Sequence, residues 1–396
     1  MMISFFRNKL LWAGLGIIIL AVCIFTFAFM GSTVNPTPHE LPLAIVMEDE
    51  GVVLPNGEQL NFGEILVEQI RNNDKSSVDW KILNDQDEAI KNMNEKEIYG
   101  TLLLPKDLSQ NIFSLLTESP KKPTTKIIIN EGMNFTGANV ASQITNGVLT
   151  SFNQQIQEQL FTQTEEMNTP LTVDLAKQLT NPLTIETEKI NPIGTNNANG
   201  NTPALFTQLL WLTTFISSMV LFTLLKKITG GKSSFTAIAS QVVSGIIFVA
   251  SIAGVILFIA VQMLDVNIPS IGDMFIMMFY IGLCFFFLQN ALLNWIGYPA
   301  APLFILLFFF SMPILTLAPE MLPDVTRDWL YSWVPFRYSL EIFKDILFFD
   351  RGIFEEGIGT IGVIGLSSFI IMFLARLKPG KKVGKKEEKE NQPVTV

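Results

Sequence analysis

Ala204-Leu-Phe-Thr-Gln-Leu-Leu-Trp-Leu-Thr-Thr-Phe-Ile-Ser-Ser-Met-Val-Leu-Phe-Thr-Leu-Leu225 carries no charge, and Lys226 and Lys227 follow it at once. As a helix rising 1.5 Å per residue, this run spans about 33 Å, one bilayer hydrocarbon core. Downstream, Phe235–Leu264, Met274–Ile296, Ala300–Ala318 and Gly357–Ala375 are further uncharged runs. Pro302 falls in the first turn of the third of these, and Pro313 near its far end. Upstream, Leu10–Met30 is another, behind a head containing Arg7 and Lys9. That run exceeds a usual signal-peptide core and no A-x-A-like cleavage site follows Met30, so a retained helix is expected. The pattern predicts an α-helical polytopic membrane protein with six transmembrane helices.

The apolar character is unevenly spread. Ser32–Pro203 holds 23 acids against 11 bases, a net of −12, whereas the rest holds 13 acids and 16 bases, which together give the chain's −9. With 49% hydrophobic residues and a mean hydropathy of +0.38 over 396 residues, a single soluble domain and wholesale disorder are excluded. Cys23 and Cys284 both lie in apolar runs, so a disulfide scaffold is excluded too. The lone histidine, His39, leaves no His-based triad or multi-His metal site. No cofactor and no nucleic-acid partner are expected.

Cytoplasmic loops collect Lys and Arg. Arg7 and Lys9, then Lys226, Lys227 and Lys232, then Arg376, Lys378, Lys381, Lys382, Lys385, Lys386 and Lys389 all fall on one side of a six-span arrangement. This predicts a cytoplasmic head (1–9), a first span (10–30), residues 31–203 outside, and a Lys-rich cytoplasmic tail (377–396). Both termini are then cytoplasmic, and the connection from Pro319 to Glu356 lies outside.

The external block alternates in pattern. Strands are expected at Leu41–Met47, Val78–Leu83, Tyr99–Leu104 and Thr125–Asn130, with helices at Asn61–Ile70, Asp85–Glu97, Lys106–Leu116 and Phe135–Glu166, the last continuous or broken. Such alternation predicts an extracytoplasmic α/β domain with a mixed sheet over 31–168. Thr169–Asn201, rich in Asn, Thr and Pro, reads as an extended linker running back to the membrane at 203. Glu48-Asp49-Glu50 lacks the spacing of a calcium loop and reads as a solvated acidic turn.

Asn61-Phe-Gly-Glu, Asp79-Trp-Lys, Tyr99-Gly-Thr-Leu-Leu-Leu-Pro105-Lys-Asp-Leu-Ser and Ser119-Pro-Lys-Lys-Pro123 resemble the external domain of the YhgE/Pip (phage infection protein) family. Asn191-Pro-Ile-Gly, and Pro203-Ala-Leu-Phe leading into the second span, look like that family as well. The five-span region 204–376 resembles a type-2 ABC-transporter permease domain, most of all in Trp329-Leu-Tyr-Ser-Trp-Val-Pro335-Phe-Arg-Tyr338. Many relatives carry a far longer, coiled-coil-like external region than the one between Ser32 and Pro203. The resemblance implies a permease subunit of a bacterial plasma-membrane ABC exporter, working as a homodimer or beside a second permease, with a separate ATPase subunit. It implies that Lys226, Lys227 and Lys232 form the ATPase-docking loop; setting topology is the alternative role for these lysines. It also implies a re-entrant hairpin in 319–356 around Trp329, Trp333, Pro335 and Arg337; an amphipathic helix lying in the bilayer interface is the competing reading. Phe-, Leu- and Ile-dense walls point to an amphipathic or lipid-like substrate, although surfaces that face lipid have the same composition.

Three patterns need their context. Gly230-Gly-Lys-Ser233 ends like a phosphate loop, but Lys226 stands where its first glycine is required. Gly357-Ile-Gly359-Thr-Ile-Gly362 matches the dinucleotide fingerprint, yet it opens an apolar span; with Gly365 it reads as a small-residue face for close helix packing. Gln208, Gln241, Gln289, Asn290 and Asn294 sit inside spans, where an amide must find a partner. They either line a polar path or bond helix to helix. No acid or base sits mid-span, so a buried proton relay has no visible carrier. The rival class is a membrane receptor or scaffold that binds a phage, a secreted protein or a secretion machine through the external domain.

Overall fold

The computed structural model describes residues 9–30, 36–54, 57–72, 77–167, 170–230, 234–352 and 357–377. Lys9–Met30 (α1) is a 22-residue apolar helix. An α/β domain follows it. Its strands are β1 (Leu41–Met47), β2 (Val52–Val53), β3 (Gln59–Leu60), β4 (Val78–Leu83), β5 (Gly100–Leu104), β6 (Thr124–Asn130) and β7 (Thr184–Ile190). Its helices are α2 (Phe62–Asn72), α3 (Gln86–Asn94), α4 (Leu108–Ser114), α5 (Phe135–Glu166) and α6 (Val173–Thr180).

The main sheet runs β4-β1-β5-β6-β7, and β2 and β3 form a separate short hairpin. β1 is parallel to β4 and β5, β6 is antiparallel to β5, and β7 is parallel to β6, so the sheet is mixed. Strand side chains alternate between faces. Leu41, Leu43 and Ile45 accordingly enter one core with Leu102, Ile127 and Ile129, covered by α2, α4 and α5. Ala44 and Val46 enter the opposite core with Ile128, Ala89 and Met93, covered by α3. Burial on both faces explains why β1 reads as a continuous apolar run.

α5 is one continuous 32-residue helix, capped by the Asn134 side chain accepting from Gly137 N. Its buried residues Ala141, Thr145, Leu149, Phe152, Ile156 and Leu160 make a stripe only one residue wide per turn, so the helix reads as polar in sequence. The stretch expected to be a linker is different in the structure, where α6 and β7 occupy it. β7 is an edge strand, largely exposed, with Lys126–Glu188 and Lys189–Glu131 ion pairs across it. Polar residues on both faces hid it. The Glu48–Glu50 turn also departs from expectation. Asp49 is buried, and its carboxylate accepts from Gly51 N, Gly63 N, Ser109 N and Ser109 Oγ. It ties the β1–β2 turn to the starts of α2 and α4, leaving no solvated cluster.

The second half is helical: α7 (Thr202–Thr229), α8 (Phe235–Gln262), α9 (Ile271–Ile296), α10 (Ala300–Thr316), α11 (Pro335–Phe348) and α12 (Ile358–Leu374). Pro203 starts α7, and Gly230, at φ +60°, ends it in the left-handed conformation. Four helices among the described residues, α7, α8, α9 and the one from Ile358 to Leu377, are long and apolar enough to cross a membrane. α10 is apolar but shorter, and α1 packs against it. The chain is a multi-pass membrane protein with a mixed-sheet α/β domain near its N-terminus. Exposed Val243, Ile247, Val255 and Phe258 on α8, and Val363 and Leu366 on α12, provide an apolar exterior. Inside, Trp211 is fully buried, with Phe285, Phe304 and Phe336 edge-on at 5.2, 6.0 and 4.6 Å.

Candidate functional site

The membrane helices hold an amide network. Gln241 Nε2 donates to Asn290 Oδ1, and Asn294 Nδ2 to Gln241 Oε1 at 3.1 Å. Asn290 Nδ2 donates to Ser218 Oγ at 2.7 Å, and Ser218 Oγ to Gln289 Oε1 at 3.2 Å. Gln289 Nε2 ends the chain on Trp211 O at 3.1 Å. Four of the five amides singled out in sequence are thus brought together, joining α7, α8 and α9. Gln208 stands apart, its amide 3.2 Å from Met312 Sδ on α10. Ser218, which bridges Gln289 and Asn290 from α7, looks like any small residue in an apolar run, so sequence reasoning passed over it.

Lys226 ends α7 with its ammonium over the Tyr298 ring (4.7 Å) and the Phe222 ring (5.5 Å). The end of α7 and the α9–α10 turn therefore meet at one end of the bundle. Trp295 Nε1 donates to Ile371 O at 2.8 Å, placing the end of α12 there too. Lys227 is exposed nearby, and Lys232 lies outside the described residues.

Residues 319–351 link the bundle to the α/β domain. Pro319–Met321 forms a short turn, Thr326–Tyr331 a π-helical turn, and Pro335 opens α11. Trp333 and Trp329 stand exposed, their rings crossing at 6.5 Å. With Val325, Leu330 and Pro335 they form one side of an apolar recess of about 740 Å³; α9 and α10 form much of the rest. α11 itself is buried along most of its length and packs on α7, α9, α10 and α12.

The other side of this strip is polar and meets the α/β domain. Ala318 and Met321 are buried in the α/β domain's own core. Glu320 O accepts from His39 N at 2.9 Å, and Glu320 Oε2 accepts from the Tyr99 hydroxyl at 3.0 Å. Lys96, in the α3–β5 turn, reaches Asp345 Oδ1 at 2.7 Å and Glu341 Oε2 at 3.0 Å on α11. Lys344 pairs with Glu341 at 2.9 Å, and Arg351 lies 3.6 Å from Asp345. A cavity of about 570 Å³ opens among these groups, lined also by Tyr331, Arg337 and Tyr338.

The electrostatics follow from burial and pairing. Burial opposes charge on Lys96, but Glu341 and Asp345 outweigh it and raise its pKa. Burial likewise opposes charge on Glu341, yet Lys344 and Lys96 hold that carboxyl down at about 2. Burial pushes Asp345 upward against Lys96 and Arg351. Burial first, then Glu320, pushes the Tyr99 phenol well up. Lys96, Glu320, Glu341 and Asp345 gave no signal in sequence beyond being scattered charges, and Tyr99 stood out only as the start of a strand and of a family-like stretch.

A family model described as a protein of unknown function, DUF3533, matches residues 15–355. The chain belongs to this family. It is similar to the uncharacterized protein YhgE of Bacillus subtilis (strain 168), with 29% identity over 138 residues, 34% of this chain and 17% of that protein. The matched part is thus well under the full length of that relative. A solved structure, "a domain of a putative ABC type-2 transporter from Thermotoga maritima MSB8", shares 20% identity. It covers 37% of this chain and 86% of that chain, with a TM-score of 0.26. The DUF3533 match runs across the α/β domain and takes in every lining residue of the apolar recess but Ile364 and every lining residue of the junction cavity but Gly357 and Thr360.

Proposed function

We propose that this DUF3533 chain is the membrane-spanning permease subunit of an ABC-type exporter for an amphipathic or lipid-like molecule, energised by a separate ATPase subunit. The observation that carries the reading is the apolar recess of about 740 Å³ bordered by a strip that is also anchored in the external domain's core. A recess so built changes shape when the helices move, and the external domain moves with it.

In this reading the chain crosses the membrane six times, with both termini cytoplasmic and 31–203 outside. A second permease, identical or related, completes the path. The ATPase docks at the end of the bundle where Lys226 ties the end of α7 to Tyr298. Because Lys226 is already engaged there, this reading assigns the contact to the exposed Lys227 and, by its place in the sequence, to Lys232. ATP binding displaces the joined turns, and α7 and α9 pass the movement to α11.

Affinity recovery from mild-detergent membranes tests this. An ATPase subunit should accompany wild type and be lost from a correctly inserted Lys227→Glu/Lys232→Glu variant. Lys226→Glu should also lower thermal stability, since it breaks the contact with Tyr298. Recovery of an extracytoplasmic protein and no ATPase would replace the exporter reading with that of a receptor or scaffold.

A further inference from the structure

The charges around the junction cavity are paired with one exception on the cationic side. Lys96 is taken by Glu341 and Asp345, Lys344 by Glu341, and Arg351 by Asp345 and the Asn94 carbonyl. Arg337 has no carboxylate within 4.0 Å among the described residues. Its contacts are aromatic: the guanidinium carbon sits 4.4 Å from the Tyr331 ring centroid and 5.5 Å from that of Tyr338. Stacking occupies the faces of a guanidinium and leaves its in-plane N–H donors open. Arg337 lines the cavity and is half-buried. A half-desolvated, pre-oriented fork of this kind matches the oxygens of a phosphate.

The strip bearing Arg337 has two characters. Trp329, Leu330, Trp333 and Pro335 border the apolar recess, whereas Tyr331, Arg337 and Tyr338 border the polar cavity. Aromatic residues at the boundary of apolar and charged surroundings are typical of headgroup depth. The cavity, at about 570 Å³, has room for more than a bare ion.

We infer that the junction cavity binds a phosphate headgroup, with Arg337 as its charged donor. The ligand is a phosphate ester, drawn from a bilayer phospholipid or from solution. The inference requires no ATPase and no transport, so it stands or falls separately from the exporter reading.

The test uses delipidated, detergent-purified full-length chain and native mass spectrometry. Three probes are titrated: dioctanoyl phosphatidylglycerol, dioctanoylglycerol without phosphate, and glycerol 3-phosphate without acyl chains. Phosphatidylglycerol should bind, and R337Q should weaken it at least about tenfold, while dioctanoylglycerol binding is the same in both proteins. Equal, Arg337-dependent binding of glycerol 3-phosphate would assign the site to a soluble ester. Failure of both phosphate probes to bind wild type overturns the inference, as does equal binding to a normally melting R337Q. Should R337Q melt early, hydrogen exchange of wild type decides. Either phosphate probe should slow exchange across 331–345 and dioctanoylglycerol should not; no change in that stretch overturns the inference.

Discussion

Lys96 shows how a single surface-looking residue can hold two domains together. Its side chain is 15% exposed and Asp345 beneath it 4%. Removing one member of a buried pair strands the other, which costs far more than the pair contributes net. Lys96→Met is expected to lower unfolding free energy by about 2 kcal/mol, read from thermal melting in detergent. Lys96→Met/Asp345→Leu should recover part of it, and strict additivity of the two single changes would sink the coupling. For Glu341 and Lys96 the pH dependence has a definite sign, opposed in part by Asp345, whose carboxyl pKa is raised by burial. Glu341 is held at about 2, below its unfolded value, so its contribution is present above about pH 4.5 and disappears as pH falls toward 2. Lys96 is raised, so its contribution is complete below about pH 10.5 and is lost only above that. Hydrogen exchange in the α3–β5 turn should therefore be slow at pH 7 and, after correction for intrinsic rates, fast near pH 3. None of this was legible in sequence. Lys96 and Glu341 are 245 positions apart and neither belongs to a periodic pattern. Asp49 taught the same lesson: three adjacent acids look solvated until one is found capping buried amides.

Among elements, legibility followed periodicity. β1, β4, β5 and β6 and the helices between them stood close to where apolar spacing put them, whereas β7 was missed because an exposed edge strand leaves no apolar signature. The glycine face of α12 is more finely divided than its letters suggest. A side chain at Gly362 would run into the Tyr280 hydroxyl, and a Cβ at Gly365 would lie 2.5 Å from Cys284 Sγ on α9. At Gly359 nothing stands within 4 Å. Gly365→Leu is expected to push α9 and α12 apart and to cost about 2 kcal/mol or more, while Gly359→Leu is nearly neutral. Both are checked by melting temperature and by the size-exclusion profile in detergent. Equal loss in the two variants would show that the helices do not approach as described.

For the molecule as a whole, the proposed six-span arrangement is tested by thiol labelling of intact cells with Cys23 and Cys284 replaced by Ala. A membrane-impermeant maleimide should label Lys122→Cys directly, and Lys227→Cys only after permeabilisation. Labelling of both from the same side would remove that topology. Sequence alone determined the partition into apolar runs and an acidic domain, because bilayer thickness and the cost of burying charge act locally along the chain. It likewise determined most strands and helices of the α/β domain, because side-chain period is a local property. Only the tertiary structure decided that Ala318 and Met321 complete the core of the α/β domain, that Ser218 links Gln289 to Asn290, and that Lys96 docks on α11 while Arg337 lacks a carboxylate partner among the described residues. Those outcomes depend on which distant surfaces meet once the chain has closed on itself, and no local pattern encodes that meeting.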